Sequence, residues 1–392
     1  MKRGLLFTLS FWLVGAAMIR GTLLMSHQCP AVTPASSLEA ARASAAWIER
    51  AQHSDGKYVY EYNRETDETS SDYNVVRHAG VTMSLYQLAA GGDLSVMPTA
   101  DRGLDYMTSN LYRHEDWVAF QNPVDGRVQL GASALMLAGL MQRRLATNDT
   151  AYDDLSRQVG RALLALQLPD GAFLANWDPS TGAPVPEVRS KYATGEAFWA
   201  LALMHRAFPG EGWDAPVWLT ADYLALYRDD YERQKFPPWA DQWAAYGLGE
   251  MSDWGLQDYH ITYARSLAER FGFLIRVESQ RRANEFSKAL HGRQARAAGM
   301  GTWVEGLTSL HHLAVADPRM SDMAPELAER VECGAGMLAA RQVTATEAAE
   351  WEQPPLLEGA WFTDDITRMD DQQHALSGLL YAAPIIASPE SQ

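Results

Sequence analysis

Cysteine is nearly absent from this chain: Cys29 and Cys333 are the only two in 392 residues. That excludes a disulfide framework and any zinc site built on paired cysteines. An oxidising compartment would allow one disulfide, but a Cys29 borne on a linker would meet Cys333 only by a coincidence of geometry, so both are expected to be dispensable. No HExxH or His-x-x-His spacing is present, which leaves His291, His311 and His312 without ligand partners and predicts no metal or other cofactor. A Gly-x-Ser-x-Gly elbow, a phosphate-cradling glycine loop and a Gly-x-Gly-x-x-Gly turn are missing as well. Basic residues are few and scattered, 33 against 49 acidic ones for a net charge of -16, so nothing here would neutralise a phosphate backbone and nucleic acid is excluded as a partner.

One uncharged run stands out, Gly4 to Ile19 behind Lys2 and Arg3. A basic start followed by an apolar stretch is an export signal. No small-residue cleavage site follows it, so residues 1–25 are expected to form a signal-anchor or signal peptide. Residues 4–19 would then hold the chain at the periplasmic side of a bacterial inner membrane, with secretion as the outcome if the segment is cleaved. The small, proline-bearing stretch 26–37 is expected to be a linker, 38–385 the folded body and 386–392 a tail.

What the chain has in quantity is hydrophobic content, 47%, and aromatic residues, among them 13 Trp and 16 Tyr. It also repeats. Gly80, Gly131, Gly195, Gly249 and Gly306 each stand at or near the start of an apolar helical run, spaced by roughly 55 residues. Tyr192 to Glu196 and Tyr246 to Glu250 share the form Tyr-x-x-Gly-Glu. A sixth copy is due near Asp370 to Ala382. Asp-Gly pairs at Asp55, Asp125 and Asp170 read as turns within the repeating unit, since glycine accepts a positive φ and aspartate caps. Six helix pairs follow, with predicted second helices at Asn74 to Ala90, Gly131 to Leu145, Ala193 to Phe208, Gln242 to Met251, Trp303 to Val315 and Ile366 to Ala382. The charged stretch 278–300 extends a helix or forms an insertion.

Six helical hairpins of this length resemble the (α/α)6 toroid superfamily of six-hairpin glycosidases, sugar epimerases and polysaccharide lyases, with related toroids among terpenoid cyclases. The resemblance covers most of 37–385 and rests on the period and the Asp-Gly turns, without the motif of any single family. It implies an all-α fold in which the second helices form an inner ring with their N-termini at one mouth. Residues far apart in sequence then converge: Asp72, Tyr73, Arg77, His78, Gln129, Tyr192, Glu196, Tyr246, Glu250, Trp303, Glu305, Asp364, Asp365, Asp370, Asp371 and His374.

Asp, Glu, His and Tyr are the side chains that acid-base work on a sugar needs. Cleaving a glycosidic bond takes a protonated acid and an ionised partner. Glu196, Glu250, Asp371 and His78 are the catalytic candidates. Arg77, Tyr73, Tyr192, Trp303, Glu305, Tyr259 and His260 are candidates for binding substrate, Arg77 through its fork for a carboxylate and Tyr259 with His260 for proton transfer at a sugar carbon. First-turn carboxylates also serve as ordinary caps, and Arg77 with His78 could form a purely structural pair. The acid-rich stretch Asp364 to Asp371 superficially suggests a terpenoid cyclase, but a cyclase cavity would be lined by aromatics rather than by Arg, His and Glu. The expectation is a membrane-anchored, periplasmic, glycoside hydrolase-like protein that hydrolyses a polysaccharide or oligosaccharide, or epimerises or eliminates at one. The alternative is a catalytically silent toroid acting as an accessory or scaffold among other envelope proteins.

Overall fold

The computed structural model describes residues 2–22, 25–186, 192–233 and 239–387. After α1 (Lys2–Thr22), six hairpins follow. They are α2 (Pro34–Arg50) with α3 (Val75–Ala90), α4 (Met97–Ser109) with α5 (Leu130–Thr147), and α6 (Asp153–Leu164) with α7 (Ala193–Ala207). Next come α8 (Asp214–Leu226) and the short α9 (Arg228–Tyr231) with α10 (Gln242–Glu250), then α11 (Asp258–Ser279) and α12 (Glu285–His291) with α13 (Ala297–Ala316). The last pair is α14 (Ala324–Arg341), with a single turn α15 (Ala345–Ala348), and α16 (Met369–Ile386).

Sequence decides which helix of a pair goes inside. Second helices carry small and apolar residues all round, as in α3, where every residue from His78 to Ala89 is buried, or α5, buried from Leu130 to Gln142. A helix without a polar face must be covered on every side. First helices such as α4 and α6 alternate buried and exposed positions and form the outer ring. Each inner helix packs on the next, and α16 packs on α3 to close the circle.

Glycines set the spacing of that inner ring. At Gly301 a Cβ would stand 2.3 Å from the backbone carbon of His374, so α13 and α16 touch backbone to backbone there. Short strands link neighbouring hairpins at the mouth. β1 (Glu61–Asn63) pairs antiparallel with β2 (Glu68–Thr69) and with β8 (Ile366–Arg368), Tyr62 opposite Thr367, which joins the first hairpin to the sixth. β3 (Leu111–His114) and β4 (Trp117–Phe120) form a hairpin, and β5 (Val128–Gln129), β6 (Asn176–Asp178) and β7 (Ala183–Pro184) tie the second unit to the third. Gly56, Gly126 and Gly171 of the three Asp-Gly turns all have positive φ, as their turn chemistry requires.

Three expectations change. No helix among the described residues is long and apolar enough to cross a membrane, so the anchor over residues 4–19 is not supported. The uncharged run is sixteen residues and carries Thr8, Ser10 and Gly15, short of the roughly 20 apolar residues a span needs. The linker is not a free tether: Thr33 caps α2, Pro34 to Ser37 form its first turn, and Gln28 N–H donates to Ser279 O at 2.8 Å. The two cysteines meet. Cys29 and Cys333 form a disulfide across 304 residues of sequence, because the docked N-terminal segment runs beside α14. Of the tail predicted over 386–392, Ile386 still belongs to α16, and the part from 388 on lies outside the described residues.

Candidate active site

The inner-helix N-termini surround an open cavity of about 1000 Å³. Every inner helix contributes to its wall: Asn74 and Arg77 at α3, Gln129 and Gly131 at α5, Tyr192 and Glu196 at α7, Gln242 and Trp243 at α10, Ala298 and Trp303 at α13, Arg368, Asp370 and His374 at α16. Of the sixteen residues expected to converge, seven line this cavity: Arg77, Gln129, Tyr192, Glu196, Trp303, Asp370 and His374.

Glu196 lies in the first turn of α7 and is 5% exposed. It seats against bare backbone, since a Cβ on Gly131 would fall 2.2 Å from its Oε2. Among the described residues its carboxylate accepts no hydrogen bond. Burial, helped by the negative charge of Asp241, pushes it up to about 8, so the acid carries its proton at neutral pH. Asp241 is itself fixed: it accepts from the Ala244 N–H at 3.0 Å as the cap of α10 and pairs with Arg228, both side chains being buried.

Across the ring, His374 places Nδ1 2.9 Å from Oε2 of Glu305, a carboxylate with no exposed surface. Burial alone would lower His374, but the charge and hydrogen bond of Glu305 outweigh it and raise the imidazole above its ordinary value. A carboxylate at Nδ1 fixes the proton there and leaves Nε2 to take or give another. The Trp243 ring lies 5.8 Å from the His374 ring. Asp370, in the same wall, is held by Arg77 at 3.2 Å and Arg368 at 3.3 Å. No group of three His, Cys, Asp or Glu side chains among the described residues is placed to hold a metal ion.

Several expected residues lie elsewhere. Glu250 ends α10 instead of starting it, because that helix begins at Gln242 and the two Tyr-x-x-Gly-Glu copies stand at opposite helix ends; it pairs with Arg206 at 2.6 Å, away from the cavity. Asp371 is buried as a double cap, accepting from Arg368 N–H at 3.1 Å and Ala298 N–H at 3.0 Å while pairing with Arg296 at 2.5 Å. His78 is fully buried between Tyr73 O–H at 2.6 Å and Gly103 O at 2.9 Å, and desolvation pushes it down to about 4. Tyr73 accepts from the Tyr58 N–H at 3.1 Å and packs in that same cluster. Tyr259 and His260 open an outer helix, where both contact Asp222, at 2.7 and 3.0 Å. Glu305 sits a helical turn or more below the mouth because α13 begins six residues before Trp303, and it acts through His374.

No protein-family profile matches the chain, and no curated protein does. Solved structures do. Cellobiose 2-epimerase from Bacillus thermoamylovorans superposes with a TM-score of 0.60 at 10% identity, over 87% of this chain and 98% of that one. An unsaturated glucuronyl hydrolase specific for heparin gives 0.60 at 11% identity, over 91% and 100%. A type II terpene cyclase from Scytonema gives 0.53 at 12% identity, over 90% and 99%. The chain has the (α/α)6 toroid fold. On this toroid the residues that sequence reasoning left out include Asn74, Trp239, Gln242 and Trp243, the pair Arg270 and Leu274, which reach the cavity from the outer helix α11, and Arg368 and Gln373. Gln373 and Arg368 flank the acid pair of the sixth repeat and were within reach of the period; nothing in the period points an outer-ring arginine inward.

Proposed function

We propose that this toroid is a carbohydrate-processing enzyme that transfers a proton at a sugar held against the inner-helix N-termini. The observation that carries the reading is that one cavity is lined both by His374, backed by the buried Glu305, and by the buried Glu196, whose carboxyl is pushed up to about 8 by burial. Tyr192, Trp239, Trp243 and Trp303 supply apolar faces for a sugar ring, and Asn74, Gln129 and Gln242 supply amides for its hydroxyls. Two of the fold neighbours carry sugar-active names, an epimerase and a glucuronyl hydrolase, which supports the substrate class.

In this scheme His374 Nε2 takes the proton from a sugar carbon beside a carbonyl. The C–H electron pair moves into the new carbon–carbon double bond, and the carbonyl oxygen takes the proton of Glu196. The planar enediol then turns in the cavity, His374 Nε2 returns its proton to the other face of the carbon, and Glu196 takes back the hydroxyl proton as the carbonyl re-forms, which gives the epimer. Hydrolysis is the second reading, favoured by the proton on Glu196, which could pass to a glycosidic oxygen while His374 activates water. In that scheme Glu196 no longer has Glu250 or Asp371 as its partner. The disulfide supports export to an oxidising compartment, the periplasm among them.

The test is incubation of the full chain with reducing mono- and disaccharides in D2O, scored by NMR for deuterium beside the carbonyl, with a parallel glycan panel scored for new reducing ends. Exchange is expected, and His374→Ala and Glu196→Gln should each reduce it about a hundredfold or more. Neither exchange nor cleavage on any sugar would sink the reading in favour of the scaffold.

A further inference from the structure

Among the described residues three arginines line the cavity: Arg77, Arg270 and Arg368. Arg77 and Arg368 share one carboxylate, Asp370. Arg270 has none. Among the described residues no carboxylate lies within ion-pair distance of it; its Nε is buried without an acceptor, and its guanidinium lies 5.9 Å from the Phe273 ring.

The local charges do not cancel. Among the described residues the wall sets three guanidinium groups against at most two carboxylates, Asp370 and the buried Glu196, while Glu305 answers His374. A positive excess thus faces the cavity of a chain whose net charge is -16. A second orphan points to the same kind of ligand. Gln373 is 2% exposed, wedged where a Cβ on Gly80 would strike it, and its Nε2 has no acceptor. Arg270 and Gln373 are both donors at the wall of an open cavity, Gln373 buried and Arg270 partly exposed. Among the described residues the terminal nitrogens of Arg270 are unpaired donors left open to the cavity, and a ligand bringing anionic oxygens would pair with them.

We infer that the cavity takes a sugar carrying an anionic oxygen substituent, a uronate carboxylate or a phosphate or sulfate ester, and that Arg270 binds that group. The inference rests on the sugar reading above and adds to it the charge of the substrate. Arg270 reaches in from the outer ring and the His374–Glu305 dyad belongs to the inner ring, so binding of the anion and proton transfer are assigned to separate elements.

Calorimetry on the full chain tests it, with methyl glucuronide, glucose 6-phosphate and methyl glucoside as probes at low and high salt. An anionic sugar should bind about tenfold to a hundredfold more tightly than the glucoside at low salt, with the margin shrinking as salt rises. The better of the two anionic probes distinguishes carboxylate from ester. Arg270→Ala should remove the preference and leave the melting temperature unchanged, since Arg270 holds no ion pair, while Arg270→Lys should keep part of it. Equal binding of glucoside and both anions overturns the inference and leaves the sugar reading standing. Binding of none overturns both, and an undiminished preference in Arg270→Ala overturns the assignment to Arg270.

Discussion

Glu196 and His78 show how the same fold treats two ionisable groups in opposite ways. Both are buried, and in both burial is the largest cause of the shift. His78 is locked between Tyr73 and the Gly103 carbonyl and stays neutral, whereas Glu196 faces a cavity in which no described residue donates to its carboxylate. A carboxyl raised to about 8 binds its proton more tightly folded than unfolded, so its contribution to stability is intact below the ordinary glutamate range and is lost as pH rises from there through about 8. Glu196→Gln removes that loss. The variant should therefore gain stability relative to the parent as pH goes from 5 to 9, read by urea melts at both ends, while activity in the parent falls above about pH 8 as the acid deprotonates. A stability difference between parent and variant that does not change with pH would show that Glu196 is already ionised.

At the scale of elements, helix ends explain which candidate acids are free. Asp371 belongs to two helices at once, as the N3 partner in the capping box of α16 and as acceptor for the Ala298 N–H of α13, with Arg296 across it. Asp371→Asn keeps the size but strips the charge from a buried pair, and should cost about 3–5 kcal/mol. Folded Asp371→Asn should retain sugar binding. Unchanged stability with lost binding would instead place Asp371 in the site. The sequence period exposed the hairpins, the parallel inner ring and the mouth, because small residues recur where inner helices meet. It misled at α10 and α13, where the repeated glycine lies at a different height: Gly249 is near the end of its helix and Gly301, not Gly306, makes the close approach at the mouth. Hence Glu250 was placed at the wrong end, and Glu305 one layer too high. The His374–Glu305 contact joins separate repeats, α16 and α13, and depends on that height, which is why it was not legible beforehand.

The whole molecule is a ring, and a ring is only as secure as its closure. The first unit is joined to the last by the β1–β8 pairing, the packing of α16 on α2 and α3, ion pairs such as Arg64–Asp365 and Arg77–Asp370, and the disulfide from Cys29 to Cys333. The strands and helices can form only when the two ends of the body have already met, which makes that meeting entropically expensive. A bridge spanning 304 residues restricts the unfolded chain across nearly the whole sequence, and bridges of this kind typically contribute about 2–4 kcal/mol. It also fastens the segment that donates from Gln28 to Ser279 and accepts at Ser26 from Arg282. Neither cysteine lines the cavity, so the effect should fall on stability alone. Reduction, or Cys29→Ser with Cys333→Ala, should lower the melting temperature by several degrees, with sugar binding at 25 °C unchanged. Identical melting curves for the oxidised and reduced protein would mean that the strand pairing and helix packing close the ring without help from the bridge.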